Sequence, residues 1–162
     1  KTVKVSADAN NPIYGYTYAY TLTGGKGTPY TSDDGFLKVT ADSDNNSHGL
    51  VMKDGSTIVL KVAGAGTVTL GTCAYDNACT ITVTNGTGTT LGTISVPAGD
   101  GSNDNTTKEF AYTGDADTLT FTYSAGNGGQ YLHSVKFTPD SNSVTYTLKG
   151  GVGTPYTSDD GF

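Results

Sequence analysis

Residues 79–96 read CTITVTNGTGTTLGTISV, and this stretch predicts the fold of the chain. Cys79, Ile81 and Val83 alternate with threonines, which is the period of a β-strand with one apolar and one polar face. The tetrapeptide Asn-Gly-Thr-Gly follows, and these residue types favour tight turns. A further apolar run passes through Leu91, Ile94 and Val96. The sequence therefore predicts a β-hairpin that buries one face of each strand.

The same alternation recurs along the chain from Gly35 onward. Its apolar positions are Ile58, Leu60 and Val62, then Val68 and Leu70, then Leu119, Phe121 and Tyr123, and in the last strand Tyr131, His133, Val135 and Phe137. Threonines fill many alternate positions, and no segment has a helical period. Two sheets must therefore bury their apolar faces against each other. We expect an all-β, two-sheet antiparallel β-sandwich that is jelly-roll-like.

The alternation slips once, between Leu70 and Cys73. Gly71 lies at the slip, and a glycine at such a point is typical of a β-bulge. We expect a bulge at Gly71 that turns Cys73 toward the core.

The two cysteines, Cys73 and Cys79, bracket a predicted turn between strands. This separation can place them opposite one another on adjacent antiparallel strands, as a disulfide requires. We expect that disulfide, which would indicate an oxidising, extracellular setting. Two reduced, half-buried thiols are the alternative. A zinc site is not expected, because no histidine accompanies the pair in the local sequence.

A seventeen-residue segment occurs twice, 126 residues apart. It reads YTLTGGKGTPYTSDDGF from Tyr20 to Phe36 and YTLKGGVGTPYTSDDGF from Tyr146 to Phe162. The copies differ only in two pairs of residues, Thr23/Lys149 and Lys26/Val152. Because a repeat of this length is the size of one globular domain, the pattern indicates a tandem array of domains rather than a solenoid.

A weaker match, between residues 2–10 and 134–142, suggests where the repeats meet. The predicted organisation is the tail of a preceding repeat at 1–10, a linker at 11–19, a complete β-sandwich module at 20–142 and the head of the following repeat at 146–162. The partial repeats are expected to dock on a sheet edge, either in their own chain or by strand exchange with a neighbouring one through 146–162.

The charge of the chain limits its partners. Fifteen acidic and nine basic residues give a net charge of −6, and every basic residue is a lysine. Binding to nucleic acid or to an anionic membrane needs a cationic surface, so neither partner is expected. No apolar run approaches the ~20 residues that span a bilayer, and we expect a soluble protein.

Oxygen donors are dense in several predicted loops. Calcium prefers six to eight such ligands, so calcium is the expected metal if any is bound. The candidate ligands are Asp42, Asp44 and Asn46 in one loop and Asp100 and Asp104 in another. The first loop is not an EF-hand, because Lys53 replaces the final glutamate. The alternative is that these residues satisfy the backbone of turns.

Catalytic arrangements are not recognisable in the sequence. The many turn aspartates offer no distinguished pair of carboxylates for glycoside hydrolysis. His48 and His133 have no serine or cysteine at a spacing typical of nucleophilic catalysis. We therefore expect no enzyme activity.

The chain has eleven tyrosines and no tryptophan. Sugar recognition places an aromatic face against the C–H face of a pyranose, while amide and carboxylate groups bond its hydroxyls. Tyr75, beside Asp76 and Asn77 in the predicted turn, meets that requirement, and Tyr131 is a second candidate. The alternative role for these tyrosines is to pack within strands.

The segments HGLVMKDGSTIVLKVAGAGTVTLGTCAYDNACTITVTNGTGTTLGT and FAYTGDADTLTFTYSAGNGGQYLHSVKF carry a family resemblance. The sequence from about Gly35 to Thr138 resembles the ancillary β-sandwich modules of secreted bacterial pectate lyases and pectin esterases. The resemblance implies a noncatalytic, carbohydrate-binding or spacer role in a secreted multidomain protein. The positions on the shared motifs are His48, Lys53, Tyr75, Tyr131 and His133.

Two functions follow from these observations. The first is a secreted module that binds plant or microbial polysaccharide, with repetition raising avidity and calcium assisting. The second is a structural stalk or adhesin repeat of a bacterial surface protein with no sugar ligand. Near-identical repeats, threonine-rich faces and acidity fit the second without requiring a ligand.

Overall fold

The computed structural model describes residues 16–74, 77–99, 104–125 and 130–140, without the side chains of residues 74, 104 and 105. Within these ranges the chain forms twelve strands and no helix. The strands are β1 Tyr18–Thr21, β2 Tyr30–Thr31, β3 Leu37–Thr40, β4 Ser43–Asn45, β5 Gly49–Met52, β6 Thr57–Val62, β7 Gly66–Ala74, β8 Cys79–Thr84, β9 Thr90–Val96, β10 Asp104–Tyr112, β11 Asp117–Ser124 and β12 Gln130–Pro139. Among the described residues, no helix has the length and apolarity to cross a membrane.

The strands form two antiparallel sheets, which confirms the predicted all-β sandwich. Sheet I has the order β10-β7-β12-β5-β4, with β1 also paired to β12. Sheet II has the order β2-β3-β6-β11-β8-β9. β5 pairs with residues 130–132 of β12 and β1 pairs with residues 134–137, so β5 and β1 follow one another along the same edge of β12. His133 lies where the partner of β12 changes.

The core lies between the sheets and consists of the predicted alternating residues. Those with no exposed surface include Val68, Leu70, Val135 and Phe137 from sheet I and Ile58, Leu60, Val62, Ile81, Val83, Leu119 and Phe121 from sheet II. Burying a side chain of this size contributes about 1.5–3 kcal/mol. Leu91 departs from the prediction and is 39% exposed. It is the extra residue where the β8–β9 register shifts.

The bulge lies in β12, so the expected bulge at Gly71 is wrong. β7 pairs with β10 without interruption from Gly66 to Ala74, whereas the β7–β12 register shifts between Leu132 and Ser134. His133 is the extra residue. As a result Leu132 joins the core. The prediction that Tyr131 and His133 lie on the core-facing side of β12 with Val135 and Phe137 is also wrong. A bulge changes which face of a strand is buried.

The disulfide predicted between Cys73 and Cys79 is absent, and both buried residues remain thiols. The two flanking strands are not neighbours, because β7 belongs to sheet I and β8 to sheet II. Cys79 packs in the core. Cys73 follows the fully buried Thr72 in the regular part of β7, so it faces away from the interior. β7 and β8 therefore do not pair as a hairpin.

The first strand, β1, begins at Tyr18 and lies along β12. Tyr18 and Ala19 belong to β1 and pair with Phe137 and Lys136. The predicted flanking repeats at 1–10 and 146–162 lie outside the described residues, and the domain boundaries of the array remain a prediction.

Candidate functional site

The outward face of sheet I carries an aromatic surface near the start of β12. Gln130 and Leu132 are fully buried, so Tyr131 between them faces away from the core. Tyr131 pairs with Val51 of β5 and with Cys73 of β7. Its side chain is partly exposed, which leaves the ring able to contact a ligand.

His48 lies against Tyr131. Their ring centroids are 5.2 Å apart and the ring planes are inclined by 46°. The turn before β5 holds His48 in place, since Asn45 Oδ1 accepts hydrogen bonds from the N–H groups of Ser47 at 3.0 Å and His48 at 3.1 Å. Gly49 follows at φ 96°, and a Cβ there would collide with the carbonyl of Leu132. The sequence thus places one histidine against the tyrosine of the neighbouring strand.

His133 extends this surface along β12. The bulge directs its ring over Gly71, where a Cβ would collide with the ring carbon Cε1 and with the hydroxyl of Ser134. Ser134 Oγ lies 3.3 Å from His133 Nδ1. The other nitrogen, Nε2, is buried without a hydrogen-bond partner among the described residues. Loss of solvent lowers the pKa of His133 below its usual range, which favours the neutral imidazole.

We call His48, Tyr131 and His133 the aromatic surface. Lys53, the remaining predicted ligand residue near β5, lies two residues beyond Val51. Its ammonium forms a 2.8 Å ion pair with Asp42, and both side chains are nearly half exposed. The hydrogen bond from Lys53 holds the pKa of Asp42 below its usual range. Polar groups that could bond sugar hydroxyls therefore lie at the end of the strand beside Tyr131.

The connection that carries the other predicted ligand residues is tied to β12. Gln130 Nε2 donates a 2.5 Å hydrogen bond to the carbonyl oxygen of Asn77. Gln130 Oε1 is buried and has no partner in the part of the chain described. Asn77 itself is exposed, while Tyr75 and Asp76 lie outside the described residues. The sequence analysis missed Gln130, because the predicted alternation turned Tyr131 and His133 toward the core, and only the bulge at His133 places Gln130 and Leu132 there.

Two of the predicted metal ligands of the first loop, Asp42 and Asp44, have protein partners in the structure. Asp42 is paired with Lys53. Asp44 Oδ2 accepts a 2.6 Å hydrogen bond from the N–H of Gly27, and its buried Oδ1 has no described partner. Asn46 is exposed, and its carbonyl accepts the N–H of Gly24. No group of three or more His, Cys, Asp or Glu residues in the described ranges is arranged to hold a metal.

The second predicted set of metal ligands is not described. Asp100 lies outside the described residues, and Asp104 is described without its side chain. Calcium binding at residues 42–46 and at Asp100 and Asp104 therefore remains a prediction.

Comparison with known proteins places the fold. No protein-family model matches the chain, and no curated relative was found. Among solved structures, the CBM36-1 domain of a multidomain xylanase from the hindgut metagenome of Trinervitermes trinervoides is 17% identical with a TM-score of 0.50, covering 77% of this chain and 98% of that one. A family 6 carbohydrate-binding module is 20% identical with a TM-score of 0.50, covering 80% of this chain and 100% of that one. The chain therefore has the β-sandwich fold seen in carbohydrate-binding modules.

Proposed function

We propose that this protein is a noncatalytic polysaccharide-binding module of a secreted multidomain protein and that the aromatic surface is its sugar contact. The observation that carries the proposal is the contact between the His48 and Tyr131 rings on the outward face of sheet I. The partly exposed ring of Tyr131 presents an apolar face, which suits the C–H face of a pyranose. The His48 ring, inclined to it by 46°, would contact the same sugar from the side. The fold shared with carbohydrate-binding modules supports the same function.

Polar groups beyond the end of β5 would complete such a site, since Lys53 and Asp42 lie there. Tyr75, Asp76 and Asn77 remain candidates from the sequence. We propose that they contribute the second aromatic and acidic contacts.

Three finer features of the proposal come from the sequence. Calcium assistance, for which residues 42–46 and Asp100 with Asp104 are the candidates, would give a binding loss on chelation. A tandem array would raise avidity by effective concentration. Strand exchange between copies through 146–162 would link neighbouring modules. The extracellular location now rests on the family resemblance alone, because the predicted disulfide is absent.

Affinity electrophoresis tests the sugar-binding function. Gels containing xylan, β-glucan or pectin should retard the protein, and the Tyr131→Ala variant should bind at least about tenfold more weakly, about 1.4 kcal/mol. Tyr16→Ala is the matched control, because Tyr16 is 65% exposed but lies outside the aromatic surface. A parallel set of gels with chelator tests calcium. Absence of retardation in every polysaccharide would refute the proposed function, and equal binding by Tyr131→Ala would refute the site.

A structural stalk is the second candidate. The described ends of the module do not favour it, because β1 and β12 are antiparallel and Tyr18 lies opposite Phe137. Residues 16 and 140 thus leave the sandwich at the same end. Tension applied there would separate the β1–β12 hydrogen bonds one after another instead of loading them together.

A further inference from the structure

The first copy of the duplicated segment, Tyr20–Phe36, runs from the edge of β12 in sheet I to β2 in sheet II, a position that we call the slot. It enters along β12, where the N–H of Leu22 donates a 2.8 Å hydrogen bond to the carbonyl of His133 and the Leu22 side chain has no exposed surface. It then passes β4, where Gly24 and Gly27 donate hydrogen bonds to Asn46 O at 2.9 Å and Asp44 Oδ2 at 2.6 Å. It ends in sheet II as β2.

The carboxylate of Asp34 joins the start and the end of the segment by hydrogen bonds. Asp34 accepts hydrogen bonds from Tyr20 Oη at 2.8 Å, Ser32 Oγ at 2.5 Å and the N–H of Phe36 at 2.9 Å. Phe36 is only 6% exposed and packs on Tyr18, with ring centroids 5.7 Å apart. The loop conformation is therefore determined by few residues.

The loop also depends on glycines in the left-handed region. Gly24, Gly25, Gly27 and Gly35 have φ angles of 83°, 74°, 76° and 70°. Other residues adopt such angles at a cost, so these four positions restrict the sequences that can fill the slot.

The second copy, Tyr146–Phe162, has the same residue at every one of these positions. In the first copy, these positions form hydrogen bonds, are buried or have a left-handed backbone. The matching residues of the second copy are Tyr146, Leu148, Gly150, Gly151, Gly153, Ser158, Asp160, Gly161 and Phe162. The two differences between the copies replace Thr23 and Lys26, which are partly and fully exposed in the slot. The second copy thus meets each requirement that falls within Tyr20–Phe36, while Val144 stands at the position of the buried Tyr18 that precedes the first copy.

The connection to β12 is long enough for this segment to reach the slot. Tyr20 pairs with Val135 and Tyr18 with Phe137. Tyr146 in the same register would place Val144 opposite Phe137 and leave residues 138–143 to make the turn. That turn contains Asp-Ser-Asn-Ser, which are residue types typical of turns, and six residues suffice for a hairpin loop.

We propose that Tyr146–Phe162 is an alternative occupant of the slot in its own chain, so that β12 can accept its edge strand either from the preceding or from the following copy. Both copies are tethered to the same sheet, so they compete as intramolecular ligands. Exchange leaves β3 to β12 in place. In an array, each module could then take its first strand from either side.

Paired aspartate substitutions in the full chain test this competition. In Leu22→Asp the first copy carries a charge at a fully buried position, so the second copy should fill the slot. The melting temperature should fall by less than about 5 °C, and hydrogen exchange of residues 144–150 should slow by at least about tenfold relative to wild type. Leu148→Asp is the matched control and should melt as wild type. The double variant should lose the cooperative transition or melt far lower.

Each other result overturns the proposal. If Leu22→Asp melts as low as the double variant while residues 144–150 stay unprotected, the second copy does not enter the slot. Equal melting temperatures for the wild type, the two single variants and the double variant would show that the slot does not need a leucine at the position of Leu22. Light scattering completes the test. If the Leu22→Asp variant is folded but dimeric, the second copy fills the slot of a neighbouring chain and the proposed exchange within one chain is wrong. The protection of residues 144–150 is read independently of whether the double variant folds.

Discussion

The hydroxyl of Tyr20 donates a 2.8 Å hydrogen bond to Oδ2 of Asp34, which joins the start of the first copy to its end. Burial raises the pKa of Asp34, but the hydrogen bonds from Ser32, Phe36 and Tyr20 outweigh it and leave the pKa below its usual value. Burial and the same carboxylate raise the pKa of Tyr20. The pair is therefore most stable as a charged acceptor and a neutral donor.

Removal of that acceptor should destabilise the module. Asp34→Ala removes the acceptor of three hydrogen bonds and leaves the hydroxyl of Tyr20 and the N–H of Phe36 without it, while Ser32 keeps the carbonyl of Leu37. We expect the free energy of unfolding to fall by about 2–3 kcal/mol at neutral pH. The measurement is denaturant unfolding in the Leu148→Asp background, where the second copy cannot compensate. Asp33→Ala is the control, because Asp33 is exposed, and it should change stability by less than about 0.5 kcal/mol. Similar losses in both variants would contradict the role of Asp34.

The stabilising effect of Asp34 should depend on pH with a defined sign. Its folded pKa lies below the unfolded value of about 4, so the unfolded state binds the proton more readily. The contribution is then fully present above about pH 4 and is lost as the pH falls through the lower, folded pKa. The free energy of unfolding should be measured from pH 6 to pH 2 for the Leu148→Asp protein and for its Asp34→Ala variant. The difference in this free energy between the two proteins should shrink below about pH 4. A difference that grows on acidification would have the wrong sign.

His133 should also make the protein sensitive to acid, at higher pH. Its folded pKa lies below the unfolded value of about 6.5, because the ring loses solvent and is kept neutral. The unfolded state therefore gains a proton first as the pH falls. Stability should be complete above about pH 6.5 and decrease below it, and His133→Gln should flatten this part of the curve. Unfolding free energies between pH 8 and pH 5 measure the effect, and an unchanged slope in the variant would contradict it.

Gly71 should matter for both stability and binding. A Cβ at this position would collide with the His133 ring and the Ser134 hydroxyl, so Gly71→Ala should cost about 1–3 kcal/mol and displace His133 from the aromatic surface. Gly92→Ala is the control, since its Cβ would lie 3.2 Å from the edge of the Phe110 ring, which can shift. Thermal unfolding and affinity gels should show losses for Gly71→Ala alone. Equal effects of the two substitutions would argue against this contact.

The sequence predicted the parts of the fold that depend on local alternation. Ile81 and Val83 are buried because every second residue of a strand faces the same sheet surface. The aromatic surface was only partly predictable. Tyr131 was selected by residue type and His48 by the family resemblance, but their contact depends on the pairing of β5 with β12 and on the bulge at His133. The disulfide prediction failed for a related reason, because local spacing does not reveal that β7 and β8 enter different sheets.

The thiols provide a direct check on that correction. Cys73 and Cys79 are 1% and 4% exposed, and burial raises the pKa of Cys79 to about 11. Thiolates are the reactive form, so labelling of the folded protein by a thiol reagent should be slow. After unfolding without reductant, two thiols per chain should react, and added reductant should leave the melting temperature unchanged. Fewer than two reactive thiols, or a lower melting temperature in reductant, would support the predicted disulfide between Cys73 and Cys79.

The direction in which the module is pulled should determine its mechanical strength. Tyr18 opposite Phe137 places residues 16 and 140 at one end of the sandwich, so force applied between them opens the β1–β12 pairs one at a time. Force between Asp54 and Asp140 instead acts along β5 and β12, because Met52 pairs with Gln130 at the far end of β12. That geometry loads several hydrogen bonds together. Single-molecule pulling should therefore give a lower unfolding force for 16–140 than for 54–140. If the 16–140 direction proves equally strong or stronger, the module can bear load through its own connections, and the stalk becomes the better description of its function.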